Sequence, residues 1–316
     1  MKKIFIAVMA MAAFAACSNE VEIAPSQGEA IAFGDAYVDN ATKAIYEEAE
    51  DIEGFTVWGS VEGTEGPVAL YGETGAAVTR GGAALGAAWS CNVVRYWTPL
   101  CRYSFVAIAN GTAAELDNGV PTKIAYTVAN DPADLIYGAA TATTDAQCVP
   151  TGNITGGNIV TFKMAHLLSL VNVSFKNSVS TSDNAYTYEI TDVKVTGWEK
   201  GIYTVNGGTW AQDGTSTKAL SFNGIASLPY ATTATKVGSQ LIIPNQPIVI
   251  SFTYNEKING NTYLTKTIEQ KVVETAQNNY QYNITVEFSK DNEINFTVDA
   301  TDGLAGFTQG SDVTVQ

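Results

Sequence analysis

The chain has 316 residues, of which 32 are Asp or Glu, 17 are Lys or Arg and one is His, giving a formal net charge of −15. So acidic a surface repels phosphate backbones and anionic headgroups, which argues against nucleic acid as a partner and against a basic membrane-binding patch. A single histidine rules out a multi-histidine metal centre. The wealth of Gly, Thr, Asn, Val and Tyr favours strands joined by tight turns over helices.

Residues 1–17 read MKKIFIAVMAMAAFAAC. Lys2 and Lys3 precede an uncharged, mostly apolar run from Ile4 to Ala16, too short to remain as a membrane span and ending in small residues, as a secretory signal does. A cysteine directly after Ala15 and Ala16 resembles a lipobox. In that reading Cys17 takes a diacylglyceryl group and becomes the mature N-terminus; an ordinary signal with an incidental cysteine is the alternative. Each acyl methylene buried in the bilayer contributes about 0.8 kcal/mol to the tether. This predicts a leader over 1–16 and an acylated, flexible spacer over 17–28. The remaining 300 residues keep 15 basic against 32 acidic side chains, a net charge of −17. A chain of that length divides into two domains more often than it forms one large core.

The first strand is expected over 31–38, with Ile31, Phe33 and Tyr37 at even spacing. Residues 39–51 are polar and end in the cluster Glu47, Glu48, Glu50 and Asp51. These lack the alternating ligands and glycine of a calcium loop, so a solvated loop or short helix is the reading. Strand patterns follow at 55–61, with Phe55, Val57 and Val61 on one face, and at 102–109. Between them TRGGAALGAA, around Arg80, reads as a loose exposed loop. Residues 131–138 suggest a turn into a short strand, and TGNITGGN at 151–158 breaks the pattern. That break divides the chain into expected domains over 29–158 and 159–316.

The second half alternates strictly. Val171, Val173 and Phe175, then Val193 and Val195, then Ile248, Ile250, Phe252 and Tyr254 each have polar neighbours between them. Asn259-Gly260 predicts a type I′ hairpin returning over 263–272. Tyr282 to Phe288, and Ile294 to Val298 beyond Asp291-Asn292, repeat the pattern. Period two with one wet face describes antiparallel sheets packed as sandwiches. The fold class is all-β.

Catalytic chemistry is hard to find. His166, among Met164, Leu167 and Leu168, reads as a hydrogen-bonded structural residue. There is no G-x-S-x-G elbow, P-loop or H-E-x-x-H, and no acidic pair stands out. Trp58, Trp89, Trp97, Trp198 and Trp210 read as core residues in preference to sugar-stacking platforms. Cys91, Cys101 and Cys148 are odd in number. Cys91 and Cys101 could close a small loop, and three free thiols are equally compatible. No cofactor or metal is expected, and the chain reads as non-catalytic.

Four segments together resemble the Bacteroidetes-type fimbrillin family, whose members are type V pilus subunits. They are RYWTPLCRYSFVAIAN (95–110), VTFKMAHLLSLVNVSFKN (160–177), QLIIPNQPIVISFTY (240–254) and NNYQYNITVEFSKDNEINFTVD (278–299). Each is weakly specific; their order and spacing carry the resemblance. The resemblance implies two transthyretin-like Greek-key β-sandwiches in tandem and an outer-membrane lipoprotein precursor. It also implies a trypsin-like cut that releases the first strand, and a groove refilled by the C-terminal strand of the next subunit. Carried onto this chain, the cut falls after Lys43, freeing Ile31, Phe33 and Tyr37; Arg80 is the less favoured site. The donor strand would contain Phe307, Val313 and Val315, a tail that fits equally well as the last strand of its own domain; an anchor subunit, which keeps its first strand and its lipid, is the alternative to either cut. Lys43 departs from the family's usual arginine, and Phe307 stands near a position where relatives carry tryptophan. Implied partners are other pilus subunits, the outer membrane through acyl chains, and host or bacterial surface ligands. The rival reading is a surface glycan-binding lipoprotein that uses exposed aromatic residues.

Overall fold

A computed structural model of the chain describes residues 28–38, 52–82, 88–179, 186–289, 293–302, 307–309 and 313–315. Every regular element among them is a β-strand, so the fold is all-β, as the alternation predicts.

The largest sheet runs in the order β1 (Ala32–Val38), β12 (Ile159–His166), β9 (Ile136–Thr144), β6 (Arg102–Ala109), β2 (Gly54–Gly63), β4 (Ala76–Arg80) and β5 (Trp89–Cys91). Three short strands pair alongside it: β3 (Gly66–Ala69) on β2, β10 (Pro150–Gly152) on β9 and β11 (Ile154–Thr155) on β12. The sheet curls until β1 lies beside β5. Its concave side encloses Phe33, Phe55, Trp97, Tyr103, Phe105 and Phe162. β6 reads as a continuous apolar run because both its faces are covered. Tyr103, Phe105 and Ala107 point into the concave core, while Val106 and Ile108 join the core of the second half.

Two sheets pack face to face in the second half. One runs β19 (Thr235–Ile242), β13 (Ser169–Asn177), β22 (Tyr280–Phe288) and β23 (Ile294–Asp302), with β24 (Phe307–Gln309) and β25 (Val313–Val315) both on the free edge of β23. The other runs β17 (Thr217–Ser221), β14 (Tyr186–Trp198), β20 (Ile248–Ile258) and β21 (Asn261–Val273), with β18 (Ile225–Leu228) also on β14. Rings interlock between them: Phe175 meets Phe252 edge-on at 5.0 Å, and Tyr188 stacks on Phe288 at 4.2 Å. In β14 the strict period breaks. Tyr188 and Ile190 point inward, then Val193 and Val195 do. A bulge between Thr191 and Lys194, with Asp192 at φ 54°, absorbs the extra residue and keeps the apolar side facing the core.

A fourth sheet joins the halves. β7 (Thr112–Asp117) and β8 (Val120–Thr127) pair with β15 (Lys200–Thr204) and β16 (Thr209–Gln212) through a β8–β15 ladder. Trp210 Nε1 donates to the Leu167 carbonyl at 3.0 Å beneath it. The division expected between residues 158 and 159 falls inside one hairpin. It would separate β11 from β12, which pair at Thr155↔Ile159, and β12 completes the first sheet as far as His166. Glycines and asparagine at 151–158 mark a tight hairpin there, not a linker. Of the loop expected over residues 79–88, Thr79 and Arg80 belong instead to β4, a strand whose Ala76 and Val78 are buried between β2 and β5, and residues 83–87 lie outside the described residues. Val78 was the apolar signal, diluted by its glycine and alanine neighbours.

Candidate functional site

Strand β1 holds its place by two kinds of contact. On one edge it runs parallel to β12, from Ala32↔Ile159 to Val38↔Met164. On the other edge its approach is pinned to residues 95–97: Ile31 N donates to Arg95 O at 2.8 Å, and Trp97 N donates to Glu29 O at 3.1 Å. Ile31 and Phe33 are each 5% exposed. The Phe33 ring sits 5.7 Å from Phe105 and 6.1 Å from both Phe162 and Tyr71. Of the three apolar residues predicted on this strand, Tyr37 is placed by its backbone, paired with Lys163. A foreign strand could occupy the same slot, because alternate side chains would fill the aromatic trough while the backbone met β12.

The trough walls also make contacts that do not involve β1. Trp97 is fully buried, with its ring edge-on to Tyr103 at 4.7 Å. Thr98 N donates to the Tyr103 hydroxyl at 2.6 Å. Arg95 Nε donates to Leu70 O at 2.6 Å and its guanidinium lies 6.0 Å from the Tyr71 ring centre. Burial pushes the Tyr71 and Tyr103 hydroxyls above the ordinary phenol range; Cys91 adds to the rise at Tyr71, and Arg95 opposes it. Around the point where the chain enters β1, Val94, Tyr96, Leu100 and Val149 are 47–73% exposed, an apolar rim that the sequence pattern does not reveal.

Of the two cleavage positions considered, Lys43 lies outside the described residues, as does Cys17. Arg80 N donates to Glu53 O at 2.9 Å, and its guanidinium is 5.8 Å from the Trp89 ring centre. Cutting after Arg80 would detach β2, which lies between β6 and β4 in the sheet.

The C-terminal strands form one interrupted edge strand antiparallel to β23. Phe307 stands opposite Thr301, and Val313 and Val315 stand opposite Phe296 and Ile294. The latter two partners are buried in the sandwich core.

Three other features bear on rival chemistry. His166 Nδ1 and Asp134 Oδ2 are 2.5 Å apart, and both side chains are buried. The Asp134 carbonyl accepts from Asn110 Nδ2 at 2.8 Å, so the lone histidine ties β12 to the connection before β9. No three His, Cys, Asp or Glu side chains converge on a metal-sized site among the described residues. Trp58, Trp97 and Trp210 are buried, and Trp89 and Trp198 are half-buried, which leaves no fully exposed indole for sugar stacking.

A fimbrillin-like family model matches residues 42–302. Among solved structures, a fimbrial protein from Bacteroides vulgatus ATCC 8482 shares 15% identity at a TM-score of 0.59, covering 90% of this chain and all of that one. A Bacteroides uniformis ATCC 8492 protein named for cell adhesion shares 16% identity at 0.51, covering 89% and 100%. One from Parabacteroides distasonis ATCC 8503, also named for cell adhesion, shares 13% identity at 0.52, covering 88% and 98%. No curated protein matches.

Proposed function

The chain belongs to the fimbrillin-like family, and from that premise we propose that it is a non-catalytic structural subunit of a cell-surface fimbria that supports adhesion. It is exported as a lipoprotein acylated at Cys17 and carried to the outer membrane. A protease cuts after Lys43 and frees β1 alone, with Ile31, Phe33 and Tyr37. The emptied trough then takes the strand carrying Phe307, Val313 and Val315 from the next subunit. Its two halves correspond to the family's transthyretin-like pair.

The observation that carries this reading is the setting of β1. It is a short edge strand whose Phe33, with Ile31 directly before the strand, is buried in an aromatic trough built by the rest of the first half. Its removal exposes apolar surface and the unpaired backbone of β12, which a second strand satisfies. The contact is head-to-tail and does not close on itself, so it propagates a filament.

Limited digestion of the purified precursor with a lysine-specific protease tests it. A new N-terminus at Ala44, with a ladder of oligomers that withstands mild denaturant, is the expected result. Monomers alone after complete cleavage at Lys43 would reject polymerisation by strand exchange.

A further inference from the structure

Cys101 directly precedes β6 and faces Thr144, the last residue of β9. Cys101 N donates to Thr144 Oγ1 at 3.0 Å, and Thr144 N donates to Cys101 O at 2.9 Å. Asp145 then turns the chain back on itself, its Oδ1 accepting from Gln147 N at 2.8 Å and Val149 N at 2.9 Å. The Asp145 carbonyl accepts from both Leu100 N, at 3.0 Å, and Cys148 N, at 3.2 Å. Two amides on one oxygen place Cys148 and the residue beside Cys101 no more than two hydrogen-bond lengths apart.

Both thiols are half-buried against the same aromatic core, and both act on the same phenol, that of Tyr103. Burial first, and the neighbouring Cys148 second, push the Cys101 thiol up. Cys91 and Cys101 each donate from Sγ to a carbonyl two residues away, Val93 O at 3.2 Å and Pro99 O at 3.4 Å, but the charge acting on Cys91 is that of Arg95 and not of another thiol. The small loop considered from sequence, Cys91 to Cys101, is not the pairing that the fold favours.

We propose that Cys101 and Cys148 form a disulfide that staples the rim of the β1 trough. The partner reagent is a disulfide, supplied by an exported dithiol–disulfide oxidase or an oxidised low-molecular-weight thiol. One cysteine thiolate attacks that disulfide and expels one thiolate. The second cysteine attacks the resulting mixed disulfide and expels the other. Two electrons and two protons pass from the cysteine pair to the reagent, which leaves as two thiols. For its oxidising compartment the proposal rests on the export reading above.

The position gives the bond a role. A Cβ placed on Gly28 would lie 2.3 Å from Trp97 O and 3.1 Å from Cys148 Cβ, so the chain entering β1 passes directly over Cys148. A bridge there holds the rim in one shape whether or not β1 is in place.

Trypsin separates the three cysteines, because Arg95, Arg102, Lys123 and Lys163 fall between or beyond them. The full chain, folded and incubated with oxidised glutathione, is alkylated, digested and mapped by mass spectrometry. The expected product links peptide 96–102 to peptide 124–163, with Cys91 alkylated. C91S keeps the link, and C101S and C148S each abolish it. A link through Cys91, or alkylation of both Cys101 and Cys148 in chain of unchanged circular dichroism, overturns the proposal. A separate arm traps thiols in the native cells after fractionation. Chain found at the surface with Cys101 and Cys148 reduced also overturns it, whereas chain retained in the cytoplasm overturns the export reading while the purified-protein result still decides the disulfide.

Discussion

Phe33 of β1 and Phe162 of β12 lie in planes 21° apart with ring centres at 6.1 Å, one on the strand proposed to leave and the other on the strand that remains. The stack joins the two elements that would separate on assembly. Truncating a buried Phe in a close-packed core costs about 3–5 kcal/mol. Phe33→Ala is therefore expected to lower the stability of the uncut chain by that amount in urea denaturation, and to speed oligomer growth after cleavage. A loss below about 1 kcal/mol would show that β1 is not held by its aromatic trough.

The C-terminal edge strand pairs only with β23 among the described strands, so removing it leaves the sandwich core in place. A chain ending at Asp302 is expected to keep the trough and lose the donor. After cleavage it should remain monomeric alone and, mixed with cleaved intact chain, shorten the ladder by capping it. Size-exclusion chromatography with light scattering reads the outcome; normal self-assembly of the truncated chain would place the donor elsewhere.

The buried Asp134–His166 contact offers a structural test. Removing one partner leaves the other buried without its hydrogen bond, a cost of about 1–3 kcal/mol. Asp134→Ala and His166→Ala are each expected to destabilise by that order, and the double variant by less than their sum. Additive losses in a double-mutant cycle would mean that the two residues contribute independently.

Glu256 points inward at the end of β20, 4% exposed, with Oε2 lacking a hydrogen-bond partner. Burial holds its carboxyl above the ordinary glutamate range. Folding therefore favours the protonated form more than the unfolded chain does. Its contribution is fully present below the unfolded value, about 4.3, and is lost as pH rises through the higher folded value. Glu287 behaves oppositely. Hydrogen bonds from Ser178 and Lys176 lower its value, so its contribution is present above the unfolded value and lost as pH falls through the folded one. Glu256→Gln is expected to stabilise the chain at pH 7 and to lose that advantage near pH 4; thermal melts across this range check it. A gain that stayed constant with pH would show that the carboxyl is not the source.

The Asn259-Gly260 turn has φ of 50° and 81°, joining β20 to β21 at Ile258↔Asn261. Open space surrounds Gly260, so Gly260→Ala tests backbone strain without a clash. A left-handed residue with a Cβ costs about 1–2 kcal/mol, and a melt of the variant should show a loss of that order.

The sequence by itself determined the all-β class, the position of most strands and the family. Alternation such as Tyr282, Ile284, Val286, Phe288 survives in the fold because a strand with one wetter face must alternate, and the Asn-Gly hairpin is legible because few residues accept positive φ. Phe33 could be read as buried, since an apolar residue at even spacing in a strand has a face to cover. Its ring partners could not, because Phe105 and Phe162 come from distant strands and Tyr71 from the bend after β3, and only the curl of the sheet brings them together. The same holds for the ladder between β8 and β15, for Asp134 beside His166, and for Cys101 opposite the turn that carries Cys148. Local pattern records which face of an element is dry. Which elements share that dry space depends on sheet order and curvature, set by packing between residues a hundred positions apart, and only the tertiary structure decided it.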